Sequence, residues 1–317
     1  MTTDRIVVPA ELAGFHAKAY GADGKAWSEG LPDLTASFFD RWQLRLDGPL
    51  RHGMVGLIVP VRTADDTPAV LKLAPIDPEH PGEGPALRVW NGDGAVRLLD
   101  EDPQTWTLLL ERLDPDRSLL DEPDVLTAVQ IIGALLVRLH AHQPPPEARM
   151  LSEVAGLMIA DVPAVSRAWN DAEEARLLRY WAAALSEVVT EPGTALLHWD
   201  LHYENVLAGE REPWLAIDPK PLCGDPGFDL LPALTNRWDE AVATGDPVRA
   251  IRRRFDLMVE ILSLDRQRAV AWTYGRVLQN ALWDIEDGEP ALDRTQILIA
   301  RAIADEAKAG HSTRRSR

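Results

Sequence analysis

His198-Trp199-Asp200-Leu201-His202-Tyr203-Glu204-Asn205 is followed, thirteen residues after Asn205, by Asp218. An Asp, an Asn five positions later and a second Asp beyond a short apolar stretch have the spacing of a phosphoryl-transfer catalytic loop. In that chemistry the protein makes no bond to the transferring group; it holds Mg²⁺ and phosphate in line and positions the acceptor hydroxyl. On this reading Asp200 orients that hydroxyl and takes its proton. Asn205 supplies an oxygen to one Mg²⁺, and Asp218 supplies a carboxylate to both ions. Each residue taken singly reads more readily as a cap or a solvated loop side chain. The three together, in a strand–loop–strand context, point to catalysis.

The flanking residues explain how such a site would assemble. Ala195-Leu196-Leu197 is a short apolar strand behind the loop, and Val206-Leu207-Ala208 leads into a turn at Gly209-Glu210-Arg211-Glu212-Pro213. Trp214-Leu215-Ala216-Ile217 then returns antiparallel and delivers Asp218 beside Asn205. The hairpin thus brings two hard oxygen ligands to one edge, as Mg²⁺ requires. His198 reads as an imidazole bracing the loop rather than as a base. Two roles fit His202, contact with substrate or stabilisation of the turn.

Working outward, the first third of the chain reads as strand-rich. Trp42 to Asp47 alternates apolar and polar residues, and Val55 to Val61, Pro68 to Leu73, Gly94 to Leu99 and Thr105 to Glu111 follow as strands. One helix is predicted among them, around Gly84 to Trp90. Beyond Leu113 the period becomes helical. Val125, Val129, Ile132, Leu136 and Leu139 draw one apolar stripe that stops before Pro144-Pro145-Pro146. Leu178, Trp181, Leu185 and Val188 mark a second helix, and helices return around Ala250 to Leu264, Arg266 to Asp284 and Leu292 to Ala309. The expected architecture is α+β, a bilobal protein-kinase-like fold with a small β-rich N-lobe (1–112) and a larger helical C-lobe (113–317). The basic tail, about 310–317, is expected to be disordered.

Composition narrows the function. Fifty acidic against 33 basic residues among 317 give a formal charge of −17. Nucleic acid is not an expected partner, because phosphate backbones need clustered Lys and Arg; a cationic ligand would instead be attracted. Cys223 is the only cysteine, so no intrachain disulfide and no thiolate zinc site are expected. The N-terminus lacks the basic start and apolar run of a signal peptide, and no stretch reaches the length of a membrane span. A cytoplasmic protein without membrane attachment is expected, and a monomer.

The loop, together with Ile217-Asp218-Pro219-Lys220-Pro221, Gly224-Asp225-Pro226-Gly227-Phe228-Asp229-Leu230-Leu231-Pro232 and Trp90-Asn91-Gly92-Asp93-Gly94-Ala95-Val96-Arg97-Leu98-Leu99, resembles the aminoglycoside phosphotransferases. Within them it is most similar to the streptomycin 6-phosphotransferase group, also called aminoglycoside/hydroxyurea resistance kinases, in which Pro-Lys-Pro follows the second Asp. The resemblance spans roughly residues 40 to 290. It implies transfer of the ATP γ-phosphate to a hydroxyl of the streptidine ring, with ATP and Mg²⁺ as cofactors and an aminoglycoside as substrate.

The nucleotide half is fainter in the sequence. Pro49 to Gly56 occupies the place of a glycine-rich loop without its full pattern, and only Gly53 and Gly56 would let backbone amides approach phosphate. Lys72, flanked by Leu71 and Leu73, is either snorkelling or paired across a cleft; the kinase reading puts it on the α/β-phosphates, held by Glu83 or by the rival Glu79. The main chain of Glu111 and Leu113, in the inter-lobe connector, would meet adenine in the resembled fold.

Streptomycin carries two guanidinium groups, so its site should offer carboxylates. Asp225 and Asp229 are candidates, although Asp225 also suits a helix cap. Trp283, Asp284 and Glu286 close a helix with acids at its unfavourable C-terminal end, a cost offset if a guanidinium binds there. Alternatives are a related kinase acting on hydroxyurea or another cationic antibiotic, and a nucleotide-binding pseudokinase.

Overall fold

The computed structural model of the chain describes residues 6–76 and 82–304. Helix α1 (Ala10–Arg41) comes first, then strands β1 (Arg45–Leu46), β2 (Arg51–His52), β3 (Leu57–Arg62) and β4 (Pro68–Leu73), helix α2 (Gly84–Trp90), and strands β5 (Leu98–Asp102), β6 (Thr107–Glu111) and β7 (Asp114–Ser118). The first sheet has the order β1-β3-β4-β6-β5, with β2 added to β3, and its pairs are antiparallel.

Strand β4 shows how the pleat sorts side chains. Leu71 and Leu73 join Leu57, Val59 and Leu109 in a core under α1. Lys72, one residue out of phase, faces the opposite side, which Leu108 and Leu110 also line. That second face belongs to the larger core, together with Leu87 and Trp90 of α2 and the apolar residues of the helices that follow.

Helix α1 is missing from the strand-rich reading of the first third. Gly14, Gly21, Gly24, Gly30 and Pro32 make it a weak helix former, and it breaks at Gly21, whose φ is 57°. Tertiary packing decides instead: Leu31, Thr35, Phe38 and Phe39 recur at helical spacing and are buried. Gly24 is needed where the two halves meet, because a Cβ there would lie 2.2 Å from the His16 carbonyl oxygen. The strand expected over Gly94 to Leu99 is split: β5 begins only at Leu98, while Ala95 bridges Ala216 outside the first sheet, and Gly92 and Gly94 have φ of 85° and 77° and make a turn.

The larger part continues with α3 (Val125–His140), β8 (Arg149–Met150), α4 (Leu151–Ala168), α5 (Ala172–Val188), β9 (Ala195–Leu197), β10 (Val206–Ala208), β11 (Leu215–Ala216) and β12 (Leu222–Gly224). Five helices close the described chain: α6 (Leu231–Thr235), α7 (Trp238–Ala243), α8 (Pro247–Ile261), α9 (Arg266–Glu286) and α10 (Arg294–Ile303). The stripe Val129, Ile132, Leu136 and Leu139 of α3 is buried, and Asp124 caps the helix by accepting from the Leu126 and Thr127 amides. Helix α4, which carries Pro163 and lacked a sequence signal, lies between them. Two small sheets hold the segment from Asp200 to Asp218: β11-β10-β7 and β8-β12-β9. Because β7 pairs with β10, the chain leaving the first sheet runs directly onto the hairpin between Asn205 and Asp218. No helix among the described residues is long and apolar enough to cross a membrane. The expected disordered tail and Glu79 lie outside the described residues.

Candidate active site

The hairpin forms as its sequence demands. Val206 pairs with Ala216 and Leu207 with Leu215, and the Ile217 amide donates to the Asn205 carbonyl at 2.9 Å. Asp218 follows with φ 59°, a left-handed conformation rare outside glycine. The turn sends its carboxylate across to the first sheet, where Lys72 Nζ donates to Asp218 Oδ1 at 2.6 Å. Lys72 also ion-pairs with Glu83, at the start of α2. Burial alone would lower the Lys72 ammonium, but the Asp218 and Glu83 carboxylates hold it above its ordinary range. The charge of Lys72 keeps Asp218 at about 2 against the effect of burial. Glu83 is pushed up to about 7, by burial first and then by the neighbouring Asp218 charge, with Lys72 opposing.

Asp200 sits in the cleft. Asn205 Nδ2 donates to its main-chain carbonyl at 2.9 Å, which closes the loop and leaves the Asn205 oxygen for another partner. The His202 amide donates to the same carbonyl at 3.1 Å. His198 is buried; its Nε2 lies 3.0 Å from the Ile217 carbonyl and must therefore carry the proton. Its ring stacks on Trp90 at 6.1 Å, and burial lowers its pKa. The geometry is that of a brace.

Asp229 differs from its expected role as a substrate carboxylate. It is fully buried. Oδ2 accepts from the His198 amide at 2.9 Å and faces His140 Nε2 at 2.8 Å, while Oδ1 accepts from the Trp199 amide at 2.6 Å. Two of these bonds serve the loop and the third ties it to the end of α3. Asp225 is likewise turned inward: it accepts from the Gly227 amide and from Arg268 Nε, at 2.8 and 2.6 Å. The cap alternative describes it.

A cavity of about 160 Å³ opens beside Asp200, lined by His202, Leu231, Pro232, Thr235, Asn236, Arg276 and Asn280. Arg276 lines it and lies beside the Trp199–Trp283 pair, whose ring centroids are 6.1 Å apart, with its guanidinium carbon 5.9 and 5.3 Å from them. Burial pushes Arg276 down to about 10, although Asp200 and Asp229 attract the charge. Its Nη1 donates to Asn280, and its buried Nε has no partner among the described residues. Trp283 remains 43% exposed at the rim. Asp284 and Glu286 flank the Arg276 side of α9 from opposite directions; Asp284 is half-buried and Glu286 exposed.

Sequence reasoning missed Arg276 and Asn280, which a helical Arg-x₃-Asn-x₃-Asp reading of α9 would have found. It also left Lys220 without a role; Nζ donates to Asp200 Oδ2 at 2.8 Å.

The nucleotide side is partly as expected. The Gly53 amide donates to the Gly56 carbonyl at 3.0 Å in the β2–β3 turn. Gly53 has open space around it, while a Cβ on Gly56 would meet Leu73 O at 3.3 Å and Lys72 Cε at 3.7 Å. Gly56, not Gly53, is the position whose lack of a side chain matters. His16 Nε2 lies 2.9 Å from the Val55 carbonyl, so α1 holds this turn. The Glu111 amide is already engaged, donating to Arg97 O at 3.0 Å, and its carboxylate accepts from Arg211. No turn or loop hydrogen bond engages the Leu113 main chain among the described residues.

A small antiparallel sheet facing a helical part, with paired Lys72 and Glu83 and with Asp200, Asn205 and Asp218 on one hairpin, defines a protein-kinase-like phosphotransferase. An aminoglycoside phosphotransferase solved as a ternary complex with ADP and hygromycin B shares the fold, with a TM-score of 0.57 at 16% identity over 84% of this chain and 97% of that one. The model of the family described as aminoglycoside/hydroxyurea antibiotic resistance kinase matches residues 41–288, and the chain belongs to that family. A streptomycin 6-kinase of Streptomyces glaucescens is 52% identical over 96% of this chain and 99% of its own length. A hydroxyurea phosphotransferase of Kitasatospora aureofaciens is 51% identical over 95% of this chain and 87% of its own. Helix α1 lies almost wholly ahead of the span that the family model matches.

Proposed function

We propose that the protein is a Mg·ATP-dependent kinase that moves the γ-phosphoryl group to a hydroxyl of streptomycin, the streptidine 6-OH. The observation that carries this reading is the position of the Asp200 carboxylate. It lies at the mouth of the polar cavity, on the loop whose Asn205 adjoins the Lys72–Asp218 ion pair. The 52% identity to a streptomycin 6-kinase supports the acceptor.

Residues 1–112 act as the nucleotide lobe and 113–317 as the acceptor lobe. Lys72, fixed by Glu83, binds the α/β-phosphates, and the main chain of Leu113 meets adenine. The donor set fits Mg²⁺. Asn205 keeps its oxygen, Asp218 keeps Oδ2, and no cluster of three His, Cys, Asp or Glu ligands exists among the described residues to form an all-protein cage. Mg²⁺ usually takes one or two protein oxygens and completes its shell with phosphate and water. When bound it would neutralise phosphate charge and hold the chain in line. Asp200 orients the acceptor hydroxyl and receives its proton at a carboxylate oxygen. Asn280, Asn236 and His202 offer polar partners to the ring carrying that hydroxyl. Asp284, with Trp283, faces the guanidinium groups at the rim; Asp287, Glu289 and Asp293 add to the negative charge around it.

A second reading, phosphorylation of hydroxyurea, is favoured by the 51% identity to a hydroxyurea phosphotransferase. ATP consumption with streptomycin, hydroxyurea, kanamycin and viomycin separates the two, and NMR of the product locates the new phosphate ester. Absence of turnover with streptomycin overturns the first reading. Absence with all four overturns the class of acceptor.

A further inference from the structure

Lys220 stands between the parts of the site that must meet. Its Nζ donates to Asp200 Oδ2 at 2.8 Å, with the lysine side chain 54% exposed and the aspartate 23%. So open an ion pair adds little to folding stability, so stability does not account for it. The backbone, in contrast, is tightly held. The Lys220 amide donates to the His198 carbonyl at 3.0 Å, Pro219 and Pro221 flank it, and the left-handed Asp218 sets the path two residues earlier. The ammonium charge also reaches Glu83 and Asp218, lowering both carboxyls. An exposed cation on a well-held backbone thus lies between Asp200 and Asp218. Arg276, the other cation near Asp200, is buried against two tryptophans and bonded to Asn280, so its charge is already engaged.

We propose that Lys220 is a catalytic residue: on acceptor binding its ammonium leaves Asp200 and donates to a non-bridging oxygen of the transferring phosphoryl group. This rests on the phosphotransferase reading above. The acceptor oxygen forms a bond to the γ-phosphorus, and the bond from that phosphorus to the β–γ bridging oxygen breaks, its electron pair leaving with ADP. The acceptor proton passes to Asp200 Oδ2, the oxygen that Lys220 has vacated. Lys220 keeps its own protons throughout. Before substrate arrives it holds the Asp200 rotamer; during transfer it meets the charge on the equatorial oxygens. The flexible four-carbon stem of a lysine allows both positions.

The test compares wild type, Lys220→Met and Lys220→Arg with ATP, ATPγS and streptomycin. In Lys220→Met kcat is expected to fall by about 10²–10³, as for loss of one donor to a developing charge, with both KM values within about threefold. Lys220→Arg is expected to recover about tenfold of that loss, and the preference for ATP over ATPγS should shrink in Lys220→Met. A merely structural contact would leave kcat and the thio preference as in wild type, which overturns the proposal; so does a loss confined to the streptomycin KM. Lys220→Gln is read in the same way if Lys220→Met fails to fold. A wild-type enzyme that phosphorylates no acceptor sinks the phosphotransferase reading and this proposal with it, whereas wild-type turnover with an active Lys220→Met sinks only the latter.

Discussion

Asp229 Oδ1 accepts the Trp199 main-chain N–H at 2.6 Å, and Trp199 sits at φ 67°. A bulky residue in that region is strained by about 1–3 kcal/mol. The strain lies one residue before Asp200, and it fixes the direction in which the Asp200 carboxylate leaves the loop. Gln279 holds the far end of the same residue, accepting from the Trp199 indole at 3.0 Å.

Replacing Asp229 with Asn should therefore act through the loop. An amide cannot accept from the two backbone donors and His140 together, so a buried donor is left unpaired at a cost of about 1–3 kcal/mol. Urea unfolding should show that loss together with a lower kcat. A stable variant with only a raised streptomycin KM would restore Asp229 to the acceptor site.

Asp200→Ala should lower kcat by about 10²–10⁴, the span of general-base contributions, with Mg·ATP affinity within a few-fold of wild type. Isothermal titration alongside product assays measures both. Loss of nucleotide binding in step with activity would contradict the assignment.

Asp218→Ala removes a metal oxygen and the partner that keeps Lys72 engaged. Nucleotide affinity of the wild type should drop when EDTA removes Mg²⁺, and the variant should show the weak affinity with or without the metal. A variant that retains the full Mg²⁺ effect speaks against Asp218 as ligand.

His198 carries a pH signature. Burial lowers its folded pKa below the ordinary histidine value of 6.5, so below pH 6.5 the unfolded chain binds the proton that the native state refuses. Stability from this group is complete above 6.5 and declines as pH falls through the folded value. Urea midpoints of wild type should fall more steeply between pH 7.5 and 5.5 than those of His198→Gln, whose amide can replace the Nε2 donor. Parallel slopes in the two proteins would mean that His198 is not held neutral.

Local rules made much of this molecule readable. The hairpin after Asn205 follows from two apolar strands around a Gly-Pro turn, and α3 from a clean stripe ended by three prolines. Lys72 could be placed on a strand face by the pleat alone. What sequence left out depends on contacts made far along the chain. Helix α1 has poor intrinsic propensity and exists because its apolar side covers the first sheet. Asp229 and Asp225 look like surface acids in a Gly- and Pro-rich stretch, and only the arrival of α3, α9 and the loop makes them internal acceptors. Arg276 lies deep in a helix where a charge is unexpected, and its reason is a cavity formed by α6, α9 and the loop together.

The contact between His16 and the Val55 carbonyl has a mechanical meaning. The β2–β3 turn is not a free flap over the nucleotide, because a helix packed on the back of the sheet holds its tip. Arg112 adds to the rigidity from the other side: its guanidinium donates to the carbonyls of Val61 and Ala69 and to Asp47, so the connector travels with the sheet as far as that residue. Sheet, helix and turn therefore form one plate, and that plate is fastened to the hairpin at a second place, where the Val96 amide donates to Ala216 O at 2.8 Å and the Ala216 amide to Gly94 O at 2.9 Å.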